Sequence, residues 1–182
     1  MRSPLIAFYG LSLLAGSALA QETQHLRDFK NQLIGKRPLA ETVASALAGV
    51  AFDTPKEWGP GIEGFGKRAG SSFGKRAVKA SVELGVSEWT HESLHYRRLG
   101  TGSVLERLEH AVVTTYWVPR DDGRGHTLAV GRIAGSVIAP EVARLWMPDR
   151  VANFQGATRS TCWSMGLDVG VNVFCEFWHR PR

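Results

Sequence analysis

Two cysteines in 182 residues are too few for the disulfide framework that holds small secreted domains together. They stand at Cys162 and Cys175. If 158–178 is one helix they lie roughly 20 Å apart along it, beyond the reach of a bridge. Two buried thiols are expected, with a bridge between chains as the other reading. Phosphate-loop motifs are also missing. No G-x-x-x-x-G-K-[ST] or G-x-G-x-x-G occurs, and Gly123-Arg124-Gly125 alone is too little. Neither a G-x-S-x-G elbow nor an N-x-[ST] sequon is present. A nucleophilic serine or cysteine therefore has no sequence support.

Long apolar runs are scarce as well. The one near the start, Leu5 to Ala15, follows Arg2 and precedes Ala18-Leu19-Ala20. It is too short and wrongly flanked for a stop-transfer helix. Residues 1–20 read as an export signal, cleaved between Ala20 and Gln21. Export places the chain in the periplasm, in the envelope or outside the cell. No cysteine follows the cleavage site, so a lipid anchor there is not indicated. The remaining chain is long enough for one domain with its own core.

Charge is present with a basic excess, formally +5, and the pI is about 9.6. For an exported protein the available polyanions are phospholipid heads, lipopolysaccharide and cell-wall polymers, not nucleic acid. The plainer reading is a soluble surface rich in arginine.

Residues 21–61 read as an N-terminal helical segment, joined in one domain to a main helical part at 62–182. Pro38 suits the first turn of an alanine-rich helix running to Phe52. Thr54-Pro55-Lys56-Glu57 reads as a cap, an N1 proline and an N3 glutamate. Trp58-Gly59-Pro60-Gly61 is the best internal break.

Small residues then recur every fourth position. On a helical wheel Gly66, Gly70, Phe73, Gly74, Ala77, Ala80, Ser81 and Leu84 share a face, while Arg68, Lys75, Arg76, Lys79 and Glu83 occupy the opposite side. Interior glycines cost about 1 kcal/mol each relative to alanine, so a close helix contact is expected to offset them. Gly131, Gly135, Ala139 and Ala143 repeat the spacing, with Pro140 expected to kink or divide that helix. Thr158, Cys162, Gly166 and Gly170 repeat it again. Such spacing drives crossings in membranes, but charged residues interrupt these stretches. Soluble or surface-bound helices are expected, not spans.

Ser103-Val-Leu-Glu106 is a capping box. After it, AVVTTYWV at 111–118 either continues the helix to Trp117 or forms a small β-hairpin returning at His126–Val130. Trp58, Trp89, Trp117, Trp146 and Trp178 fall near element ends. Ordinary core and terminus packing is favoured for them over a membrane-interface belt.

Two constellations carry chemical content. His91-Glu92-Ser93-Leu94-His95 matches H-E-x-x-H, which on a helix sets both imidazoles on one face to bind Zn²⁺. Glu92 would act on the bound water. A turn near Gly100 would bring Glu106 or His110 up as a third ligand. Against this, Arg98 and Thr101 break the metzincin extension, and Glu106 already has a capping role. The plainer reading is a solvated helix end. The second constellation is the stripe Ser164, Asp168, Asn172 and Glu176 on an otherwise apolar helix. It is either that helix's watery side or a buried network supplied with donors by the Arg68–Lys79 face or Arg132.

From Gly64 to Trp178 the segments FGKRAGSSFGKRAVK, HESLHYRRLG, RLEHAVVTTYWVPRDDG, GRIAGSV, MPDR and GLDVGVNVFCEFW resemble a family of exported bacterial proteins without an assigned activity. Members have H-E-D-P-R-Y where this chain has HESLHY, with proline and arginine in place of Leu94 and His95. The resemblance implies that the zinc motif is fortuitous. It also aligns Asp168, Asn172, Glu176 and Trp178 with the family's closing motif, and it implies a shared fold without supplying a cofactor.

The expected fold is mainly α, a compact helical bundle packed through Gly/Ala faces, with one small β-hairpin near 111–130. The expected function is that of an exported, non-catalytic envelope protein, structural or binding, without a cofactor. Its partner would be anionic lipid or an envelope polymer, touched through Lys67, Arg68, Lys75, Arg76 and Lys79. The alternative is a zinc-dependent hydrolase using His91, Glu92 and His95 with Glu106 or His110. Homo-oligomers through unsatisfied glycine faces are a third reading.

Overall fold

The computed structural model describes residues 27, 29–31 and 33–178, so the expected export signal lies outside the described residues. Helix α1, Lys36–Ala51, carries Pro38 in its first turn, where a missing N–H costs nothing. A short 3₁₀ turn follows at Lys56–Trp58. Thr54 does not cap it; its hydroxyl donates back to the Phe52 carbonyl. Gly59 and Gly61 then take positive φ values, 65° and 87°, to reverse the chain.

Helix α2, Gly61–Thr90, is the axis of the molecule. It ends because His91 adopts a left-handed conformation, φ 56° and ψ 35°. Helix α3, Val104–Tyr116, opens with the expected capping box, Ser103 accepting from the Glu106 amide while Glu106 accepts from the Ser103 amide. Helix and hairpin then both form. Strand β1, Trp117–Pro119, pairs antiparallel with β2, His126–Leu128, with Val118 opposite Thr127.

Helix α4, Val130–Ala143, runs through Pro140 without being divided. The proline sits in the last turn, where it forgoes its own bond back to the Ser136 carbonyl without ending the helix. Helix α5, Phe154–Phe177, begins at an Asn153 cap. The molecule is thus mainly α, with α1 and α4 packed on α2 and α5 packed on α3 and α4.

The small-residue stripes behave unequally. On α4 the stripe packs as expected, with Gly131, Gly135, Ala139 and Ala143 all buried. A Cβ added at Gly135 would lie 2.9 Å from the Lys79 carbonyl oxygen, and one at Gly131 3.0 Å from that of Glu83. The stripes on α2 and α5 correct the expectation. Among the described residues nothing lies within 4 Å of a Cβ at Gly66, Gly70, Gly166 or Gly170. On α2 the other side is inside, through Gly64, Arg68, Ser71, Glu83 and Ser87, and from the expected face Ala80 is buried with them.

The interior is accordingly short of large apolar side chains. Among the described residues its buried hydrophobics are alanines and Val118, and the largest fully buried side chains are Glu176, Thr115 and Ser136. Large hydrophobics lie outside instead, such as Ile62, Trp89, Leu105, Trp163 and Phe174. Trp89, Trp117 and Trp178 are exposed rather than packed in the core, while Trp146 lies against Gly74 and donates to Ser71 at 3.0 Å. Cys162 is exposed and Cys175 half-buried, which corrects the expectation of two buried thiols.

The two kinds of glycine predict opposite mutational signs. Gly135→Val drives a side chain into the α2 backbone and is expected to lower stability by about 1–3 kcal/mol. Gly70→Ala enters open space on a helix and is expected to raise it by about 0.5–1 kcal/mol. Thermal or denaturant melts of the two variants check the pair.

Candidate functional site: a bonded polar interior

The H-E-x-x-H segment does not form the arrangement its chemistry requires. Helix α2 stops at Thr90, so His91 and His95 do not share a helical face, and both are exposed. Glu92 turns inward, 3% exposed, and accepts from the Gly131 amide at 3.0 and 3.2 Å. It also accepts from the Thr90 hydroxyl at 2.7 Å. Its charge therefore sits on the N-terminus of α4, where unpaired amides and the helix dipole favour an anion. Backbone bonds hold the segment to the hairpin: Ser93 N to Pro119 O at 3.0 Å and Asp121 N to His91 O at 2.9 Å.

Glu106 and His110 line an open hollow on α3 of about 260 Å³ together with Glu109, Val113 and Thr114. Glu106 is engaged in its capping box, and His110 Nε2 lies 3.0 Å from the Arg97 carbonyl oxygen. His110 thus faces the Tyr96–Arg97 stretch rather than His91. Among the described residues no three His, Cys, Asp or Glu side chains gather to hold a metal ion.

The closing stripe is the centre of the polar interior. Glu176, fully buried, accepts from Tyr96 Oη at 2.7 Å, Leu99 N at 3.1 Å, Gly100 N at 3.0 Å and Arg107 Nε at 3.0 Å. Its backbone carbonyl accepts from Arg98 at 2.7 Å and also from Arg107. Arg107 additionally stacks over the Phe177 ring, 4.5 Å from its centroid. Burial acts to raise the Glu176 pKa, but the bonds from Gly100, Tyr96, Arg107 and Leu99 outweigh it and hold the carboxyl at about 2. For Tyr96, burial and the neighbouring Glu176 push the phenol above its usual range.

About two helical turns earlier, Asp168 meets Lys79. The Lys79 ammonium donates to both Asp168 oxygens, at 2.7 and 2.6 Å, and to the Ser164 hydroxyl at 3.0 Å. Ser136 on α4 donates to Asp168 at 3.3 Å, so one carboxylate joins three helices. Asn172 donates to the buried Thr115 hydroxyl at 3.0 Å, and Arg132 donates to the Thr115 carbonyl. Sequence reasoning placed the stripe and its donor face; it missed Tyr96, Arg98 and Arg107, which arrive from a loop and a neighbouring helix without any periodic signal.

Glu83 is the unbalanced member. It is 8% exposed and lies 3.8 Å from Lys79, whose ammonium is already committed to Asp168. Burial pushes the Glu83 carboxyl up to about 7, against the pull of Lys79 and Arg132 and with help from Asp168 and Glu92.

The remaining basic residues are largely spent inside the molecule. Arg68 is 3% exposed and donates to the carbonyls of Thr54 at 2.9 Å, Gly59 at 2.7 Å and Pro55 at 2.9 Å. It ties the α1–α2 turn to α2. Lys75 and Arg76 are half-buried, and burial pulls the Lys75 ammonium below its usual range. Lys67 is exposed and pairs with Glu63 at 2.7 Å. Arg68 and Lys79 are therefore not available to an external surface.

These groups mostly donate to and accept from one another, and their bonds fix the register of the helices that carry them. No protein-family model, curated protein or solved structure matches the chain.

Two carboxylates predict opposite pH dependences. Glu176 has a folded pKa of about 2 against an ordinary 4.5. Its stabilising contribution is present above 4.5 and lost as pH falls towards 2. Glu83 has a raised pKa of about 7, so its contribution is present below about 4.5 and lost as pH rises through 7. Glu83→Gln is expected to flatten the decline between those limits and to exceed the wild type in stability at neutral pH. Glu176→Leu leaves Arg107 buried against no carboxylate and is expected to cost about 3–5 kcal/mol near neutral pH. Denaturant melts across pH check both.

Proposed function

We propose that the protein is an exported, non-catalytic helical protein of the cell envelope that works by binding at a lipid surface. The observation that carries this reading is the inverted distribution of polarity. Charged and hydroxylated side chains share the interior with alanines, while large apolar side chains are exposed on all five helices, as at Leu47, Trp89, Leu105, Val137 and Trp163. Water gains nothing from such side chains, whereas exposed apolar surface fits an apolar phase or a partner. Contact runs through these apolar faces, with the basic excess of +5 adding attraction to anionic headgroups.

The contact is peripheral. Among the described residues no helix is long and apolar enough to cross a membrane. An exposed tryptophan such as Trp89, 86% exposed, suits the headgroup level, where an amphipathic ring is favoured. The polar interior supports a binding role, because its groups are engaged with one another.

Co-sedimentation of the chain beginning at Gln21 with vesicles tests the reading. Binding is expected to vesicles of phosphatidylcholine alone, and to be stronger when phosphatidylglycerol is included. Tryptophan emission is expected to shift to the blue in both cases. Negligible binding to both vesicle types overturns the proposal.

A further inference from the structure

The outward face of α5 differs from the rest of the apolar exterior. From Ser160 to Trp178 no exposed position carries a charge, and the two carboxylates of that stretch, Asp168 and Glu176, both point inward. Trp163, Leu167, Phe174 and Phe177 are 70%, 51%, 53% and 37% exposed. They line a strip about 20 Å long on one side of the helix. Between them Gly166 and Gly170 leave a shallow trough, with nothing within 4 Å of an added Cβ at either.

We infer that this face of α5 is covered by a second copy of the same chain, the two α5 helices crossing at Gly166 and Gly170. Three observations favour a second copy over lipid. A fluid acyl chain does not need a trough, and a mid-helix glycine in open space costs about 1 kcal/mol relative to alanine. What a missing Cβ permits is the approach of another backbone, and the same chain uses Gly131 and Gly135 for that purpose, bringing α4 onto the carbonyls of Glu83 and Lys79. Secondly, a two-fold contact sets the residues at its axis beside their own counterparts, so any charge at its centre would meet a like charge. The α5 face is free of that conflict. The equally open glycines of α2 are not, because Glu63 and Lys67 flank Gly66.

The third observation is area. Exposed aromatic side chains carry roughly 150–250 Å² each. At these exposures the strip amounts to on the order of 500 Å² per copy, hence on the order of 1,000 Å² in a pair. That meets the lower threshold of about 1,000 Å² for a specific interface. Dimerisation in this form leaves the apolar faces of α1 and α3 outside and is independent of the lipid reading.

Sedimentation equilibrium of the full chain from Gln21, in reductant so that exposed Cys162 forms no bridge, tests the inference. The wild type is expected to show a concentration-dependent dimer. The double variant Gly166→Leu/Gly170→Leu fills open space in the single copy, so its helicity and melting are expected to persist while its dimer dissociation constant rises at least about tenfold. Gly70→Leu, equally open on α2, is expected to leave the mass unchanged. A wild type that stays monomeric throughout, or a double variant that dimerises as the wild type does, overturns the inference. So does a monomeric wild type whose vesicle binding rises in the double variant, which would assign the face to lipid. Loss of vesicle binding alone, with the dimer intact, would count against the lipid reading and not against this one.

Discussion

The contact between α4 and α2 sets the terms for the rest of the molecule. Where Gly131 and Gly135 lie against the α2 carbonyls, the two backbones are too close to admit a leucine or phenylalanine between them. The inward positions of α2 must then be small, as at Ala80 and Ser87, or long enough to reach past the contact, as at Lys79 and Glu83. A polar interior follows from that geometry. Once lysine and glutamate stems run inward, their heads need partners, because an unpaired buried charge costs several kcal/mol. Asp168, Ser136 and Ser164 supply them for Lys79.

The same logic explains why the C-terminal end of α5 is so heavily bonded. Glu176 brings a full charge to a site with no exposure, and the chain answers with donors from the Tyr96–Gly100 loop and from Arg107 on α3. Two of those donors are backbone amides of a loop that has little packing of its own. The carboxylate orders the loop as much as the loop satisfies the carboxylate. A network of this kind gives specificity of arrangement, with net stability depending on complete satisfaction.

Local patterns in the sequence were readable because their partners are close in the chain. The capping box at Ser103 and Glu106 joins residues three apart, and it forms as written. The α4 stripe also packs as its spacing implies. On α2 the glycine stripe and the basic stripe share one helical period, and a period groups residues on a face without saying which face is inside. Apolar preference favoured the glycines; the approach of α4 decided for the charges. The H-E-x-x-H spacing presumed a continuing helix, and a single left-handed residue, His91, removed that condition. The polar stripe on α5 and its Lys79 donor were legible. The Glu176 partners were not, since Tyr96 and Arg98 lie in irregular chain and Arg107 sits on another helix.

Glu92 gives the start of α4 an unusual dependence. The first amides of a helix ordinarily face water and let that end fray by itself. Here the Gly131 amide is tied to a carboxylate on a different element, which the hairpin also grips through Ser93 and Asp121. Fraying at this end of α4 therefore requires the exit from α2 and the β-strands to loosen with it. The exit from α2, the hairpin and the start of α4 share one local melting event, so the first crack in this region is a collective one.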